Sequence, residues 1–204
     1  MEASRLEPGA VGRPRDDRID RAVLDATIEL LTEGSYADLT LTAVAARAGT
    51  SVPAVRRRWP SKLHLVHQAV FPTDVAVPPR RVGVGLREEM ELIVNGCVLL
   101  VSLPSMVGAI TGLMSDLAAD PNLQAQLTDG LWGTVKDDLA GRFADAARHD
   151  GVTLDVDLGL IAEAAFGSAL LAAGIRGADQ LDETWQANMV DFLMAGIGVP
   201  NGSK

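Results

Sequence analysis

Apolar positions recur at intervals of three and four residues along most of the chain, which is the spacing of an amphipathic helix. In the first such segment, Asp16 and Asp17 precede the pattern, where acidic side chains favour the positive end of a helix dipole. Gly34 follows the last apolar position and ends the pattern. We therefore predict a helix over residues 17–33. One face of it carries Ile19, Val23, Ala26 and Leu30.

A second, shorter pattern follows a threonine and stops at a glycine. Thr40 or Thr42 can cap a helix that runs through Ala48, and Gly49 ends it. Its apolar positions again repeat at three and four. They are Leu41, Val44, Ala45 and Ala48.

A third short helix is bounded by a serine cap and a proline. Ser51 supplies the cap, and Pro53 lies in the first turn, where its missing N–H costs no hydrogen bond. Pro60 disfavours helical geometry at the preceding residue, so the helix extends to about Trp59. Ser61 caps a fourth helix that continues to residue 71.

Two short helices joined by a tight turn and packed on a longer one form a helix-turn-helix, whose second helix enters the major groove of DNA. Arg56, Arg57 and Arg58 all fall on that second helix. The pattern therefore predicts a DNA-binding unit over residues 17–71, preceded by a flexible basic arm over residues 1–16.

Residues 72–85 are rich in Pro and Gly and have no helical period, which is typical of a linker or domain boundary. Beyond them we predict an all-helical regulatory and dimerisation domain over residues 72–204. The whole chain is then all-α, with about nine helices. The five helices expected after the linker cover roughly residues 86–103, 104–119, 121–149, 155–176 and 182–196.

Composition agrees with helices packed through small side chains, because 48% of residues are apolar but only 4% are aromatic. The single cysteine, Cys97, excludes an intramolecular disulfide and a zinc site built on paired cysteines. The first residues lack the apolar core of a signal peptide, and no apolar stretch is long enough for a membrane span. We expect a cytoplasmic protein with no membrane partner.

Charge is distributed unevenly on a chain whose formal net charge is −9. Residues 1–70 hold ten Arg and Lys against nine Asp and Glu, and residues 71–204 hold eight against eighteen, so the two parts carry +1 and −10. No acid occurs between Asp38 and Asp74, whereas five cations do. A run of like charge is most often a solvated face, but here it coincides with the predicted helix-turn-helix.

The segment from Gly12 to Phe71 resembles the TetR (TetR/AcrR) family of transcriptional regulators. The matching residues are Gly12, Arg13, Pro14, Arg15, Tyr36, Thr40, Val44, Ala45, Ala48, Gly49, Ser51, Ala54, Val55, Trp59, Pro60, Ser61 and Lys62. The rest of the chain matches only in general character, as an all-helical domain of suitable length.

The resemblance implies that the protein binds a double-stranded DNA operator as a homodimer, repressing transcription until a small-molecule effector releases it. It also implies phosphate contacts at the start of the second helix, apolar base contacts at the start of the third, and a guanine contact from Arg57. Basic arms of this kind can enter the minor groove. The candidate DNA-binding residues are Arg13, Arg15, Thr40, Thr42, Val52, Pro53, Ala54, Arg56, Arg57, Arg58 and Lys62.

Two positions depart from the family pattern, since Arg56 stands where a tyrosine is usual and Arg58 where a histidine is common. The next position, often phenylalanine, is Trp59. The two arginines add charge without removing hydrogen-bond donors, so they bear on specificity more than on binding. We expect Trp59 to fill the core beneath the recognition helix.

The regulatory half offers candidates for an effector site and a dimer interface. Few polar residues interrupt its apolar stretches, so the implied effector is small or medium-sized and mainly apolar. The Ala- and Gly-rich segment 162–174 and the last helix suit a helical dimer interface. The candidate ligand-binding residues, each of which could equally be core, are Met90, Val94, Cys97, Met106, Ile110, Met114, Trp132 and Phe143.

Two other functional classes compete with the regulator. An α-helical enzyme has little support, because His64 and His67 lack a cysteine or acid at metal-ligand spacing and no catalytic motif occurs, so we expect no cofactor. A dimeric ligand-binding module that has lost DNA binding is the other alternative. The acid-free basic window argues against that module.

Overall fold

The computed structural model describes residues 17–71, 80–127 and 132–198, and every helix below lies within them. The described residues contain α-helices and one short 3₁₀ turn, Ala178–Gln180, and no strand. The prediction of an all-α chain is confirmed. The helices are α1 (Asp17–Glu33), α2 (Leu41–Arg47), α3 (Val52–Arg56), α4 (Lys62–Val70), α5 (Leu86–Ser102), α6 (Pro104–Ala119), α7 (Pro121–Leu127), α8 (Gly133–Asp150), α9 (Leu158–Arg176) and α10 (Glu183–Gly196).

Side-chain caps begin the three short helices of the N-terminal region. Thr40 Oγ1 accepts a hydrogen bond from the Ala43 N–H at 3.1 Å, and this confirms Thr40 as the cap of α2. Ser51 and Ser61 accept from backbone N–H groups three residues ahead, each at 3.4 Å. These contacts satisfy N–H groups that have no partner within the helix, and they set where α2, α3 and α4 start.

The recognition helix α3 is shorter than the sequence predicts. It ends at Arg56, and the N–H groups of Arg58 and Trp59 both donate to the Val55 carbonyl, each at 2.9 Å. The chain thus tightens into a turn before Pro60, because the residue before a proline disfavours helical geometry. The arginine triplet therefore straddles the end of α3.

One hydrophobic core joins α1–α4 to the next part of the chain. Val23, Val44 and Val55 are fully buried in it, and Trp59, 4% exposed, lies beneath α3 as predicted. The indole N–H of Trp59 donates to Gln68 Oε1 at 2.8 Å. The same core includes side chains from α5 and α6, so apolar packing continues past the predicted boundary at residue 72. Those side chains are Leu100, Met106, Ala109 and Leu113.

A second core lies among α5, α8, α9 and α10. Its fully buried members include Leu86, Met90 and Phe143. Helices α5 and α6 meet at Leu103 with an 86° bend, where Pro104 starts α6 as predicted. The bend lets α5 belong to the second core while α6 packs on α1 and α4.

Helices α9 and α10 begin at aspartate caps. Asp157 accepts from the Gly159 N–H at 2.8 Å, so α9 starts at Leu158 rather than at residue 155. Asp182 accepts from the Trp185 N–H at 2.8 Å and sets the start of α10. The predicted helix over residues 121–149 coincides with α7 and α8, between which residues 128–131 lie outside the described part of the chain.

Candidate DNA-binding interface

The turn between α2 and α3 is built on one glycine. Gly49 has a φ of +64°, the left-handed region that favours glycine, and Thr50 N–H donates back to the Ala45 carbonyl at 2.9 Å. The chain reverses within three residues, and Ser51 then caps α3. This geometry is the predicted helix-turn-helix.

Two arginines project from the end of α3. Arg56 and Arg57 are exposed, and within the described residues neither forms an ion pair. Pro53 and Thr42 are also exposed, whereas Val52 is half-buried against the first core. Guanidinium groups bind phosphate or the guanine edge through paired donors, and an exposed proline ring offers only apolar contact.

Two predicted contact residues instead face the protein. Ala54 is 8% exposed, so its methyl group lies in the packing beneath α3 rather than at its surface. Arg58 pairs with Asp20 of α1, and its Nη1 donates to the Ala54 carbonyl at 3.3 Å. The side chain of Arg58 is 15% exposed, because the inward face of α3 and the turn after it carry it back onto α1. We do not retain either residue in the candidate contact surface.

Lys62, at the start of α4, also has an internal partner. Its Nζ donates to the Tyr36 carbonyl at 2.6 Å and lies 4.1 Å from the centre of the Tyr36 ring. The ammonium group is therefore held between α4 and the loop after α1. The Lys62 side chain must therefore leave Tyr36 to reach a phosphate.

Arg47 was not a candidate, although it belongs to the basic window. It ends α2 and makes paired bonds to Glu33 at 2.9 Å and a further contact to Glu29 at 3.1 Å. The hydrogen bonds that Arg47 donates to Glu33 and Glu29 raise the pKa of Arg47, and the bond to Glu33 lowers the pKa of that carboxyl. Three of the five cations in the window therefore serve the fold, and Arg56 and Arg57 are left for a partner.

The histidines of α4 belong to the packing of the fold. Nδ1 of His64 lies 2.9 Å from Ser61 Oγ, and the His67 ring lies 5.3 Å from the Phe71 ring. Burial, and to a smaller degree the neighbouring His64, lowers the pKa of His67. His67 is thus neutral at pH 7 and does not add to the positive charge of the interface. Arg13 and Arg15 lie outside the described residues, as does the whole N-terminal arm.

Comparison with known families agrees with this geometry. Residues 23–69, which span α1 to α4, match the N-terminal domain model described as "Bacterial regulatory proteins, tetR family". These residues carry the N-terminal domain of the TetR family. The match covers the capped helix pair and the turn at Gly49.

Relatives of this chain are named as transcriptional regulators. An uncharacterized HTH-type transcriptional regulator of Mycobacterium tuberculosis is 36% identical over 126 residues, which cover 57% of this chain and 56% of the relative. The chain thus spans about half the length of the curated relatives it matches.

Two solved structures share the fold across both halves. Salmonella enterica GusR has a TM-score of 0.65 at 15% identity, covering 90% of this chain and 97% of its own. The transcriptional regulator FadR from Bacillus subtilis, in complex with stearoyl-CoA, has a TM-score of 0.57 at 14% identity, covering 87% and 98%. At these identities the likeness concerns the fold alone.

The candidate effector-binding residues of this chain are divided between the two cores and the surface. Met90, Val94 and Phe143 are fully buried in the second core, with Cys97 and Trp132 partly buried against it. Burial raises the pKa of the Cys97 thiol to about 12, so the thiol is protonated at neutral pH. The remaining candidates lie elsewhere. Met106 and Ile110 pack in the first core, and Met114 is 47% exposed.

An ion pair inside the second core was missed by the sequence reasoning. Nε of Arg142 on α8 donates to Glu89 Oε2 on α5 at 2.7 Å, and both side chains are 3% exposed. Asp138, one turn earlier on α8, lies 3.6 Å from the same guanidinium. A usable signal existed: each residue lies on an otherwise apolar helical face, Glu89 beside Leu86 and Arg142 beside Leu139.

Helices α9 and α10 leave apolar side chains uncovered. Leu171 is 63% exposed, Ile175 74% and Phe192 69%. Helix α9 has the length and hydropathy of a membrane-spanning helix, but core helices of soluble proteins pass the same test, and a third of its apolar window is buried here. Leu160, Gly167, Leu171, Gly174 and Ile175 form an exposed stripe along α9 that we call the α9 stripe.

Proposed function

We propose that this protein is a homodimeric, ligand-responsive transcriptional repressor that binds an inverted-repeat operator through α3. The observation that carries the proposal is the pair of exposed arginines, Arg56 and Arg57, at the end of a capped recognition helix on a strongly acidic chain. DNA is attracted to the surface that carries Arg56 and Arg57, and the acidic regulatory half repels it elsewhere.

Each end of the recognition helix has its own role in this proposal. Val52 and Pro53 provide apolar contacts, most usefully to a thymine methyl, and Arg57 provides paired donors to a guanine edge. Thr40 and Thr42 place hydroxyl and N–H groups at the start of α2 for phosphates, and Arg56 adds a charged phosphate contact. The arm residues Arg13 and Arg15 supply minor-groove contacts.

Dimerisation follows from the apolar surface of α9 and α10. Exposed leucine, isoleucine and phenylalanine side chains of this density favour burial against a second surface. Gly167 and Gly174 have no neighbour within 4 Å of the position a Cβ would take, so they leave room for a helix to approach closely. A second copy presents the same stripe, and packing the two copies gives the two-fold symmetry that an inverted repeat requires.

The regulatory half binds a small, mainly apolar effector in this proposal. The second core consists of apolar side chains from α5, α8, α9 and α10, and the buried Glu89–Arg142 pair adds polar groups to it. A solved structure of the same fold carries stearoyl-CoA, which has a long apolar chain. We place residues 17–71 as the DNA-binding domain, residues 72–204 as the regulatory domain, and the protein in the cytoplasm.

The alternatives are weaker. A ligand-binding module without DNA binding leaves the exposed arginine pair without a partner, and relatives named as transcriptional regulators favour a regulator over an enzyme. The deciding experiment is selection of bound sequences from random duplex DNA by the purified full-length protein. We expect an inverted repeat whose half-sites lie about 34–36 Å apart or a multiple of that distance.

The same experiment needs a matched pair of variants. Arg56→Ala with Arg57→Ala should abolish enrichment, whereas Arg148→Ala, which removes a 72%-exposed arginine of the regulatory half, should enrich the same sequences as the parent protein. Enrichment of no sequence by the parent protein, at any salt concentration, would contradict the proposed function.

A further inference from the structure

Tyr36 joins three parts of the chain at one point. It lies in the loop after α1, is 6% exposed, and contacts both α4 and α6. We call this contact, formed by Tyr36, Lys62, Gly108, Gly112 and Asp116, the Tyr36 junction. Its members come from the helix-turn-helix region and from α6 of the regulatory half, and they contact one another directly.

Gly108 and Gly112 on α6 allow close packing of this helix against Tyr36 and the end of α1. The Tyr36 N–H donates to the Gly108 carbonyl at 2.8 Å. A Cβ at Gly112 would overlap the Tyr36 ring, and a Cβ at Gly108 would overlap the carbonyl of Leu31 at the end of α1. A larger residue at Gly108 would force α6 away from α1, and a larger residue at Gly112 would displace the Tyr36 ring.

The far end of the Tyr36 side chain is anchored to α6 as well. Its hydroxyl donates to the Asp116 carboxylate, two turns beyond Gly108. A hydroxyl bonded to a carboxylate is directional and stronger than a bond between neutral groups. The backbone and the phenol of Tyr36 therefore attach to α6 at two points, which fixes rotation as well as distance.

The junction also reaches the DNA-binding surface. Lys62 Nζ donates to the Tyr36 carbonyl and lies over its ring, and Lys62 starts the helix that follows α3. Tyr36 thus adds a polar connection between α6 and the start of α4 to the direct apolar packing of α6 on α1 and α4. This connection restricts how the helix-turn-helix can turn relative to α6.

We propose that Tyr36, held by Asp116 and the two glycines of α6, is a positioning residue that determines which half-site spacing the protein accepts. This inference rests on the proposed function. In a dimer joined through the regulatory halves, the separation of the two α3 helices depends on the angle at which each helix-turn-helix is held. A rigid junction selects one spacing, and a loosened one accepts several.

The test compares operators that differ only in spacing. The selected inverted repeat, the same repeat with one or two base pairs added or removed at its centre, and a duplex with a single half-site are titrated with each protein. The spacing ratio is the Kd for the altered repeat divided by the Kd for the selected one. Tyr36→Phe and Asp116→Ala should lower this ratio by about tenfold, the weight of a hydrogen bond to a charged group.

Matched variants separate positioning from general damage. Asp116→Asn keeps an oxygen that accepts from the phenol, so it should retain most of the spacing ratio. Thr32→Val removes a hydroxyl that bonds only within α1, to the Ile28 carbonyl at 2.9 Å, and should leave the ratio unchanged. Affinity for the single half-site should be the same in all variants, because α3 itself is intact.

Each outcome decides the question. An unchanged spacing ratio in Tyr36→Phe and Asp116→Ala, or an equal loss of affinity for every duplex, would overturn the inference while leaving the proposed function in place. A parent protein that binds no duplex would overturn the proposed function and this inference with it. Thermal melting checks folding, and Asp116→Ala, at an exposed position, carries the test if Tyr36→Phe does not fold.

Discussion

Arg58 forms an ion pair with Asp20, so its guanidinium lies between the end of α3 and α1 rather than at the outer surface of the recognition helix. The neighbouring Arg57 is exposed and has no ion pair within the described residues. Adjacent arginines of one triplet thus differ in role, since one contributes to the stability of the helix-turn-helix and the other is placed for DNA.

Substitution of Arg58 should lower the stability of the protein, whereas substitution of Arg57 should weaken its binding to DNA. Arg58→Ala leaves Asp20 without its partner, so the free energy of unfolding should fall by about 1–3 kcal/mol. Arg57→Ala should change that energy by less than about 0.5 kcal/mol, as at ordinary surface sites, yet weaken operator binding. Chemical denaturation measures the first quantity, and fluorescence anisotropy with labelled operator measures the second.

The salt dependence gives an independent control. If Arg56 contacts a phosphate, Arg56→Ala should reduce the slope of log affinity against log salt by about 0.9, and Arg58→Ala should leave the slope unaltered. Asp20→Asn should reproduce the stability loss of Arg58→Ala. A normally stable Arg58→Ala protein with a reduced salt slope would show that Arg58 contacts DNA after all.

The buried pair between α5 and α8 should be costly to break from either side. Arg142→Ala leaves the Glu89 carboxylate without its partner in the second core, so it should lower the free energy of unfolding by about 3–5 kcal/mol. Glu89→Ala should cost less, because the Asp138 carboxylate stays 3.6 Å from the Arg142 guanidinium. The double replacement Glu89→Leu with Arg142→Met should recover most of that loss, because apolar side chains of similar size remove both charges together.

Urea denaturation of the three variants measures this coupling. Arg87→Ala is the matched control, since it removes an arginine that pairs with Asp191 between α5 and α10 at a site where both side chains are about half exposed. Its cost should stay below about 1 kcal/mol. Additive losses in the double variant would mean that Glu89 and Arg142 stabilise the protein separately.

The sequence predicts features that depend on neighbouring residues better than it predicts contacts between residues far apart along the chain. The caps at Thr40, Ser51 and Ser61 depend on residues three positions away, so the sequence shows both partners together. The partners of Arg58 and Lys62 lie at Asp20 and Tyr36, which only tertiary packing brings close.

Helical period would have found part of what was missed. Ala54, Val55 and Arg58 share one face of the α3 segment with Trp59, and this face is turned towards the protein interior. When the triplet is assigned by helical period rather than by charge, Arg58 falls on the buried face and Arg57 does not. No such signal identifies Gly112 as the residue against which the Tyr36 ring packs. A glycine in a helix can have several structural roles, and the tyrosine lies 76 positions away.

The start of α5 should respond to pH through Asp150. The Leu86 N–H donates to Asp150 Oδ2 at 2.8 Å, and this bond, with a smaller contribution from His149, lowers the pKa of Asp150. The stabilisation is therefore complete above the pKa of an unfolded aspartate, about 3.9, and is lost as pH falls through the lower folded value.

Asp150→Asn removes the charge but keeps an oxygen that accepts from Leu86. At pH 7 it should be less stable than the parent by about 0.3–1 kcal/mol, and the difference should vanish towards pH 2. Denaturation curves at half-unit pH intervals measure this difference. His149→Ala should retain most of the pH-dependent difference, and a parent–variant gap that grows on acidification would contradict the assigned sign.

The α9 stripe should carry the dimer. Leu171→Glu places a charge at its centre, where the parent side chain is 63% exposed in the single chain, so the folded monomer tolerates the change while an apolar interface does not. Light scattering at micromolar concentration should show a monomer, and operator affinity should fall with it, because one recognition helix then binds alone. Val82→Glu is the matched control, at a position that is 99% exposed and outside every helix.

Gly167→Ala makes the test independent of charge. A Cβ at Gly167 has no neighbour within 4 Å in the single chain, and alanine in place of a helical glycine stabilises an isolated helix by about 1 kcal/mol. The variant monomer should therefore be at least as stable as the parent. If close approach of two α9 helices forms the interface, the added methyl group weakens the dimer even so. A Gly167→Ala protein that dimerises as tightly as the parent, together with a dimeric Leu171→Glu protein, would place the interface elsewhere on the molecule.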